Sequence, residues 1–272
     1  MEAEGTALVT GAGRGIGRGV ALALARRGFE VVATMRDPAQ GEAVLADAAA
    51  EGLSLEVRRL DVTYPDPAAV PDRLRVLVSN AGVDAPTAAL EDLALTTWRE
   101  VLETNVVGLV AVTQLALPAL RAAGGGVVCN LTSASLFVPM PFFSLYRASK
   151  AAVAALGESL RAELAPQGIR VVDVVPGPVD TDMLAASGPL PDAAASPVYA
   201  AQARRVGALR EALTDSTPVA EAAEAIVDAV CDDDAPLRVA CDPIGAGILE
   251  AWRTSSDEEV MASYLPSFVD DL

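Results

Sequence analysis

The chain has 272 residues, 52% of them hydrophobic and 21% charged, which suits one large α/β domain with a sizeable buried core. Its 37 acidic side chains against 20 Lys and Arg give a formal net charge of −17, which argues against nucleic acid and against an anionic membrane as partners. Histidine is absent, which excludes Ser-His-Asp and Cys-His systems, His-ligated zinc and histidine-base dehydrogenases, and leaves acid–base chemistry to Tyr, Lys, Cys or a carboxylate.

Short Val- and Leu-rich runs alternate with longer alanine-rich stretches, the βαβ signature of a parallel sheet covered on both faces. In chain order the pattern predicts a strand from Thr6 to Thr10, a helix from Gly15 to Arg27, a strand from Glu30 to Thr34 and a helix from Gln40 to Glu51. Strands from Leu55 to Leu60 and from Arg75 to Ser79 follow, then a helix from Thr97 to Ala122 and a strand from Gly126 to Leu131. The pattern closes with a helix from Tyr146 to Ala165, a strand from Arg170 to Val175, a helix from Val219 to Cys231 and a strand from Leu237 to Cys241. Gly28 and Gly168 stop two of these helices, and Pro218 opens the last.

Between Asp61 and Asn80 the stretch TYPDPAAVPDRL carries Pro65, Pro67 and Pro71, which leaves room for only a turn or two of crossover helix. The segment AASGPLPDAAASP, Ala185 to Pro197, reads as a surface loop or as part of a mobile lid spanning about 182–216. In the tail, Ser256 and Glu259 stand at capping-box spacing. The start MEAEG is acidic and no run of 18 uninterrupted apolar residues occurs, so a cytoplasmic protein without a membrane span is expected. Cys129, Cys231 and Cys241 are too scattered for a disulfide framework or a Cys-rich zinc site.

The first strand is followed by TGAGRGIG, in which Gly11, Gly15 and Gly17 fit the spacing Gly-x-x-x-Gly-x-Gly. A strand, a glycine loop and a helix in that order set unpaired helix N-terminal amides against a loop without Cβ atoms, a site for pyrophosphate. Further along stand Asp61 in LDVT, Asn80-Ala81-Gly82 in VSNAG, Asn105 in TNVVG, Ser133 in NLTSAS, Tyr146 and Lys150 in YRASK, and Pro176 to Thr181 in PGPVDT. In this order, over about the first 240 residues, the set resembles the short-chain dehydrogenase/reductase family, with its hydroxysteroid dehydrogenase, carbonyl reductase and ketoreductase members.

The resemblance implies a Rossmann-type, doubly wound, seven-stranded parallel sheet in a single domain, 1–241, with 242–272 as a helical extension packed on it. It implies NADP, with NAD less expected, held by Thr10, Gly11, Arg14, Gly15, Ile16, Gly17, Arg36, Asp61, Val62, Asn80, Ala81, Gly82, Tyr146, Lys150, Pro176, Gly177, Val179 and Thr181. Arg36 and Arg14 match the positions that face a 2′-phosphate, although Asp37 could blunt Arg36 by pairing with it. Tyr146 and Lys150 are four apart, so on a helix they share a face, and a lysine cation there lowers the phenol from about 10 toward neutrality. By the resemblance, Ser133 polarises the substrate carbonyl, Lys150 also holds the nicotinamide ribose, and Asn105 positions a water that relays protons to Lys150. Hydride passes between nicotinamide and substrate carbon, and no metal is needed.

The stretch ASLFVPMPFFSL carries Phe137, Phe142, Phe143 and Met140, which read either as core or dimer packing or as an apolar wall completed by Met183, Leu184 and Tyr199. Such a wall suits a small hydrophobic ketone or secondary alcohol. The tail is expected to cover the edge strand, which favours a homodimer over a tetramer. Other readings of the same fold are a non-catalytic dinucleotide sensor or partner-binding protein, and a C=C or imine reductase or cyclase of a biosynthetic pathway.

Overall fold

Strands covered on both faces must be apolar throughout, and every residue of Val76–Ser79 and Gly126–Leu131 is buried. In the computed structural model, which describes residues 1–186, 190–212 and 215–269, these runs are β4 and β5 of a seven-stranded parallel sheet. The others are β1 (Thr6–Thr10), β2 (Glu30–Met35), β3 (Leu55–Arg59), β6 (Ile169–Val175) and β7 (Arg238–Ala240). The order is β3-β2-β1-β4-β5-β6-β7, with Leu8 level with Val32 on one side and Leu77 on the other. Strand order reverses between β1 and β4, which opens a crevice at their carboxyl ends.

Alternate strand residues feed two cores, as a period of two requires. Ala7, Val9, Val76 and Val78 join α1 (Gly15–Arg26), α2 (Gly41–Ala50) and α9 (Val219–Cys231) through Val20, Leu24, Val44 and Ile226. Leu8, Leu77 and Val128 join α4 (Gly108–Ala122) and α5 (Ser144–Leu164) through Val112, Leu120 and Leu164 on the other face. Gly168, at φ +68°, adopts the left-handed conformation that ends the α5 region and turns the chain into β6.

The helix expected from Thr97 to Ala122 starts at Leu95 and has two parts: α3 (Leu95–Leu102) runs through a π-helical turn, Glu103–Val107, into α4. By length and mean hydropathy alone Leu95–Ala122 would suffice to cross a bilayer, and its inner face packs on the sheet through Val112, Ala116 and Leu120. The proline-bearing crossover holds one 3-10 turn, Pro67–Ala69, capped by Asp66, which accepts from the Ala68 amide at 2.9 Å.

Within 182–216 the chain is more regular than a loop: α6 (Asp182–Ala186), α7 (Pro191–Ala195) and α8 (Ala200–Glu211) form, while 187–189 and 213–214 lie outside the described residues. The tail forms α10 (Pro243–Thr254) and α11 (Asp257–Phe268), and the capping box at Ser256 and Glu259 is present. Asp242 caps α10 through the Gly245 amide at 2.7 Å and accepts from the Gly177 amide at 2.6 Å, tying the tail to the loop after β6. Arg205 of α8 donates to the Ser267 carbonyl at 3.0 Å, which docks α11 on α8.

Asp173 in β6 is wholly buried, where a Cβ at Gly157 of α5 would overlap its carboxylate. Burial pushes this carboxyl up to about 7, against the 2.9 Å hydrogen bond donated by Asn130 Nδ2. The folded state therefore holds this proton in the window from the ordinary carboxylate pKa up to about 7, where the unfolded chain has lost it, and stability falls as pH rises through that window. Urea unfolding from pH 5 to 8 is expected to show wild type losing about 2 kcal/mol more than Asp173→Asn, whose profile is flatter.

Candidate active site

The crevice between β1 and β4 is closed by contacts that only hydrogen side chains permit. Gly11 has φ +66°, and a Cβ there would lie 2.9 Å from Ala81 Cα; a Cβ on Gly17 would overlap both the Asn80 amide and the Gly11 carbonyl. Asn80 Nδ2 donates to the Thr10 and Gly11 carbonyls at 2.9 and 3.1 Å, while Thr10 Oγ1 accepts from the Asn80 and Ala81 amides, each at 3.0 Å. Arg14 is the N-cap of α1 and provides no side-chain cap, so the first-turn amides are left for another acceptor. Thr10 and Gly17 hold the cavity wall in place through these contacts.

The Asn80 loop leads to the tyrosine helix through a chain of hydrogen bonds. Val83 N donates to Asn105 Oδ1 at 2.8 Å, and Asn105 Nδ2 donates to the Val83 carbonyl at 2.9 Å and to Ser149 Oγ at 3.1 Å. Ser149 Oγ in turn donates to the Tyr146 carbonyl at 2.7 Å. Asn105 is buried, and its side-chain amide both donates and accepts within this bridge. The π-helical turn carries the residue into this position.

Ser133, Tyr146 and Lys150 do line one cavity, of about 1020 Å³. Ser133 ends β5's extended run and accepts from the Ser135 amide at 3.2 Å. Arg147 donates to the Ser135 and Leu136 carbonyls at 2.8 and 3.1 Å, pinning this segment to α5 so that Ser133 meets the Tyr146 hydroxyl. Lys150 Nζ donates to the Leu131 carbonyl at 2.8 Å and lies 5.8 Å from the centre of the Tyr146 ring.

The expected lowering of the phenol is not what the site shows. Burial, and then the charge of Asp84, push Tyr146 up to about 12 against the Ser133 hydrogen bond. Burial pulls Lys150 down to about 8, with Asp84 opposing. Asp84, two residues beyond Gly82, is raised by its own burial and feels both Arg210 and Lys150. It follows Asn80-Ala81-Gly82 by two residues, so the sequence brought it near the site without marking its burial.

At one end the cavity meets Gly11, Arg14, Gly15, Ile16, Arg36, Asp61, Val62, Asn80, Ala81 and Gly82. Thr63 holds the Asp61 carboxyl below the usual range through its hydroxyl at 2.7 Å, and Arg36 adds to the effect. Asp37 is occupied as the cap of a 3-10 turn, accepting from the Ala39 amide at 3.0 Å, whereas Arg14 pairs loosely with Asp182 at 3.9 Å. Pro176, Gly177, Val179 and Thr181 also line the cavity, Thr181 beside Gly15.

At the other end Met140, Phe143, Met183 and Leu184 form the expected apolar wall, joined by Val206 and Arg210 of α8 and by Tyr264 and Phe268 of α11. Three expected members are elsewhere. Phe137 packs on Trp252 at 4.7 Å between ring centres, while Phe142, at a strained φ of +68°, meets Tyr199 edge-on at 5.9 Å behind the wall.

The sequence profile of the short chain dehydrogenase family matches residues 5–190. The chain belongs to this family. A cis-4-hydroxycyclohexanecarboxylate dehydrogenase of Sinomonas cyclohexanicum is 40% identical over 195 residues, 67% of this chain and 76% of that protein. Among solved structures, a short-chain dehydrogenase from Streptomyces avermitilis superposes with a TM-score of 0.77 at 28% identity, covering 97% of both chains. One from Burkholderia cenocepacia, in complex with NADP, gives 0.74 at 27% identity over 97% of this chain and 99% of that one. The protein is thus an NAD(P)-dependent short-chain dehydrogenase/reductase acting on small alcohol/carbonyl pairs. The matched region stops before α8 and α11, so their part of the cavity wall lies outside the family profile.

Asn105→Ala removes three hydrogen bonds, one buried and two part-buried, and leaves the Val83 backbone groups unsatisfied. It is expected to cost about 2–3 kcal/mol in urea unfolding and to speed hydrogen exchange at the Val83 amide.

Proposed function

We propose that this short-chain dehydrogenase/reductase is NADP-dependent and works on a hydrophobic ketone or secondary alcohol, with Tyr146 as the acid and base. The observation that carries the reading is that Ser133, Tyr146 and Lys150 face the same cavity as the Cβ-free cradle at Gly11 and Gly15. That cradle, beside α1 amides without a side-chain cap, fits a pyrophosphate. Arg36 and Arg14 would take the 2′-phosphate, Asp61 and Val62 the adenine, Asn80 to Gly82 the ribose side, and Pro176, Gly177, Val179 and Thr181 the nicotinamide side. Bound NADPH would supply the hydride.

In reduction, the Ser133 hydroxyl donates to the substrate oxygen while Tyr146, which at about 12 is fully protonated near neutral pH, transfers its proton to that oxygen as charge develops there. The resulting phenolate is stabilised by Lys150 when that amine is protonated, and by Ser133 once its hydrogen bond turns toward the phenolate. Asn105 acts as a positioning residue for the 80–84 loop and α5. Met183 and Leu184 of α6 and Val206 of α8 line the cavity and would shield the reaction from water. The ring alcohol in the name of the Sinomonas relative agrees with a carbocyclic or similar apolar substrate. A cytoplasmic homodimer completes the reading: Arg253 of α10 donates to the Arg238 carbonyl at 3.1 Å on the edge strand, which blocks association along that edge.

Two measurements test this. Tyr146→Phe is expected to lower NADPH-dependent ketone reduction by about 10³-fold while NADPH binding, followed by nicotinamide fluorescence, stays within about twofold. Arg36→Ala is expected to weaken NADPH by at least about tenfold and to leave NADH unchanged. NADPH binding with no Tyr146-dependent turnover on a ketone panel would support a dinucleotide sensor instead, and equal affinity for both cofactors in wild type would remove the phosphate site.

A further inference from the structure

A second cavity, of about 450 Å³, opens at the amino ends of β4, β5 and β6, the end of the sheet opposite Tyr146. β5 is six residues long, which sets the two cavities about 20 Å apart. Three arginines, Arg75, Arg161 and Arg170, line it with one carboxylate, Asp233. In a chain of net charge −17 with 20 Lys and Arg, three guanidiniums around one recess reverse the local sign.

Main-chain carbonyls aim these side chains. Arg75 donates to the Gly125 carbonyl at 2.9 Å, and Arg161 donates to those of Val171 and, at 3.1 Å, Ala235. Arg170 donates to the carbonyls of Val230 and, at 3.2 Å, Ala229 in the last turn of α9. A carbonyl orients a guanidinium without neutralising it. Among the described residues no carboxylate forms an ion pair with any of the three. Asp233 takes the Met1 amino group instead, at 3.1 Å, and its side chain is 75% exposed. Arg75 and Arg170 both feel the Asp233 charge, and Arg161 and Arg170 repel each other, so the cations share one field.

The Nε groups of all three, and Arg75 Nη2, have no acceptor among the described residues. Arg75 thus offers a two-point fork, and Arg161 and Arg170 add one N–H each. Part of the lining has no side chains. Gly124, at φ +84°, would have nothing within 4 Å of an added Cβ, whereas one on Gly126 would lie 2.2 Å from the Arg75 carbonyl oxygen.

The geometry points to this recess as a binding site for a small, multiply charged phosphoanion, separate from the cofactor cavity. Guanidinium N–H groups converging from three elements suit the several oxygens of linked phosphates, and the volume holds more than one phosphate group. A recess beside a bare glycine turn admits a small molecule more readily than a protein surface. Arg161 belongs to α5, the helix of Tyr146 and Lys150, and Arg75 leads into β4, which ends at Asn80. A bound anion stabilises the folded chain by mass action.

The test is calorimetric titration of inorganic pyrophosphate into the protein saturated with NADPH, which keeps the probe out of the glycine-loop cradle. Pyrophosphate is expected to bind once per chain. Arg75→Gln and Arg170→Gln are each expected to weaken it at least about tenfold with far-ultraviolet dichroism unchanged, and Arg75→Lys to keep part of the affinity. Arg14→Ala combined with Arg36→Ala is expected to bind it as wild type does. In wild type itself, pyrophosphate is expected to slow amide hydrogen exchange over 124–127 and 168–170. No binding overturns the assignment, as does binding that survives Arg75→Gln and Arg170→Gln but is lost in the Arg14 and Arg36 variant, or slowing confined to 11–17. Malonate bound as tightly as pyrophosphate overturns the phosphate class. None of these outcomes bears on the reductase reading.

Discussion

At Gly17 there is no room for a carbon atom, because the first turn of α1 lies directly against Asn80 and the Gly11 carbonyl. That approach lets Asn80 reach back to the Thr10 and Gly11 carbonyls, and lets the Thr10 hydroxyl gather the Asn80 and Ala81 amides. From there the chain of hydrogen bonds runs through Val83, Asn105 and Ser149 to the Tyr146 carbonyl. The glycine-lined end of the cavity and the end at Tyr146 are thus parts of one largely part-buried network. Such networks hold geometry closely because each unsatisfied member costs as much as a lost bond.

Burial also sets the protonation states on which the chemistry draws. It favours the neutral form of every ionisable group at the reacting end, raising Tyr146 and Asp84 and lowering Lys150. A protonated phenol is the state needed to give a proton to a carbonyl oxygen. Burial lowers Lys150 to about 8, and its amine lies 5.8 Å from the centre of the Tyr146 ring. The surface contrasts with this interior: its acidity leaves the arginines of the cavity mouth, Arg14 and Arg36, as local exceptions.

The parts legible in the sequence were those written in short-range order. Glycines at 11, 15 and 17 specify a turn by what they lack, and Tyr146 with Lys150 shares a helix face whatever the rest of the chain does. Strand positions came within about two residues because a sheet covered on both faces demands continuous apolar runs. The π-helical turn at Asn105 escaped notice, since a one-residue widening leaves hydrophobic periodicity almost intact. The helices of 182–211 were hidden by Gly, Pro and Ser composition, and α8 buries only Ala203 and Val206, too few to show an apolar stripe. Asp84, Arg210, Tyr264 and Phe268 meet only in three dimensions, and the pKa of Tyr146 depends on burial that spacing does not encode.

The dependence of the whole site on the Gly17 contact is tested most directly by fluorescence titration of NADPH into Gly17→Ala, beside Gly207→Ala, where an added Cβ meets nothing within 4 Å. Gly17→Ala is expected to lose at least about 100-fold in affinity while keeping its far-ultraviolet dichroism, and Gly207→Ala to bind as wild type does. Wild-type affinity in Gly17→Ala would contradict the account, because it would show that the cradle tolerates the methyl group that the packing forbids.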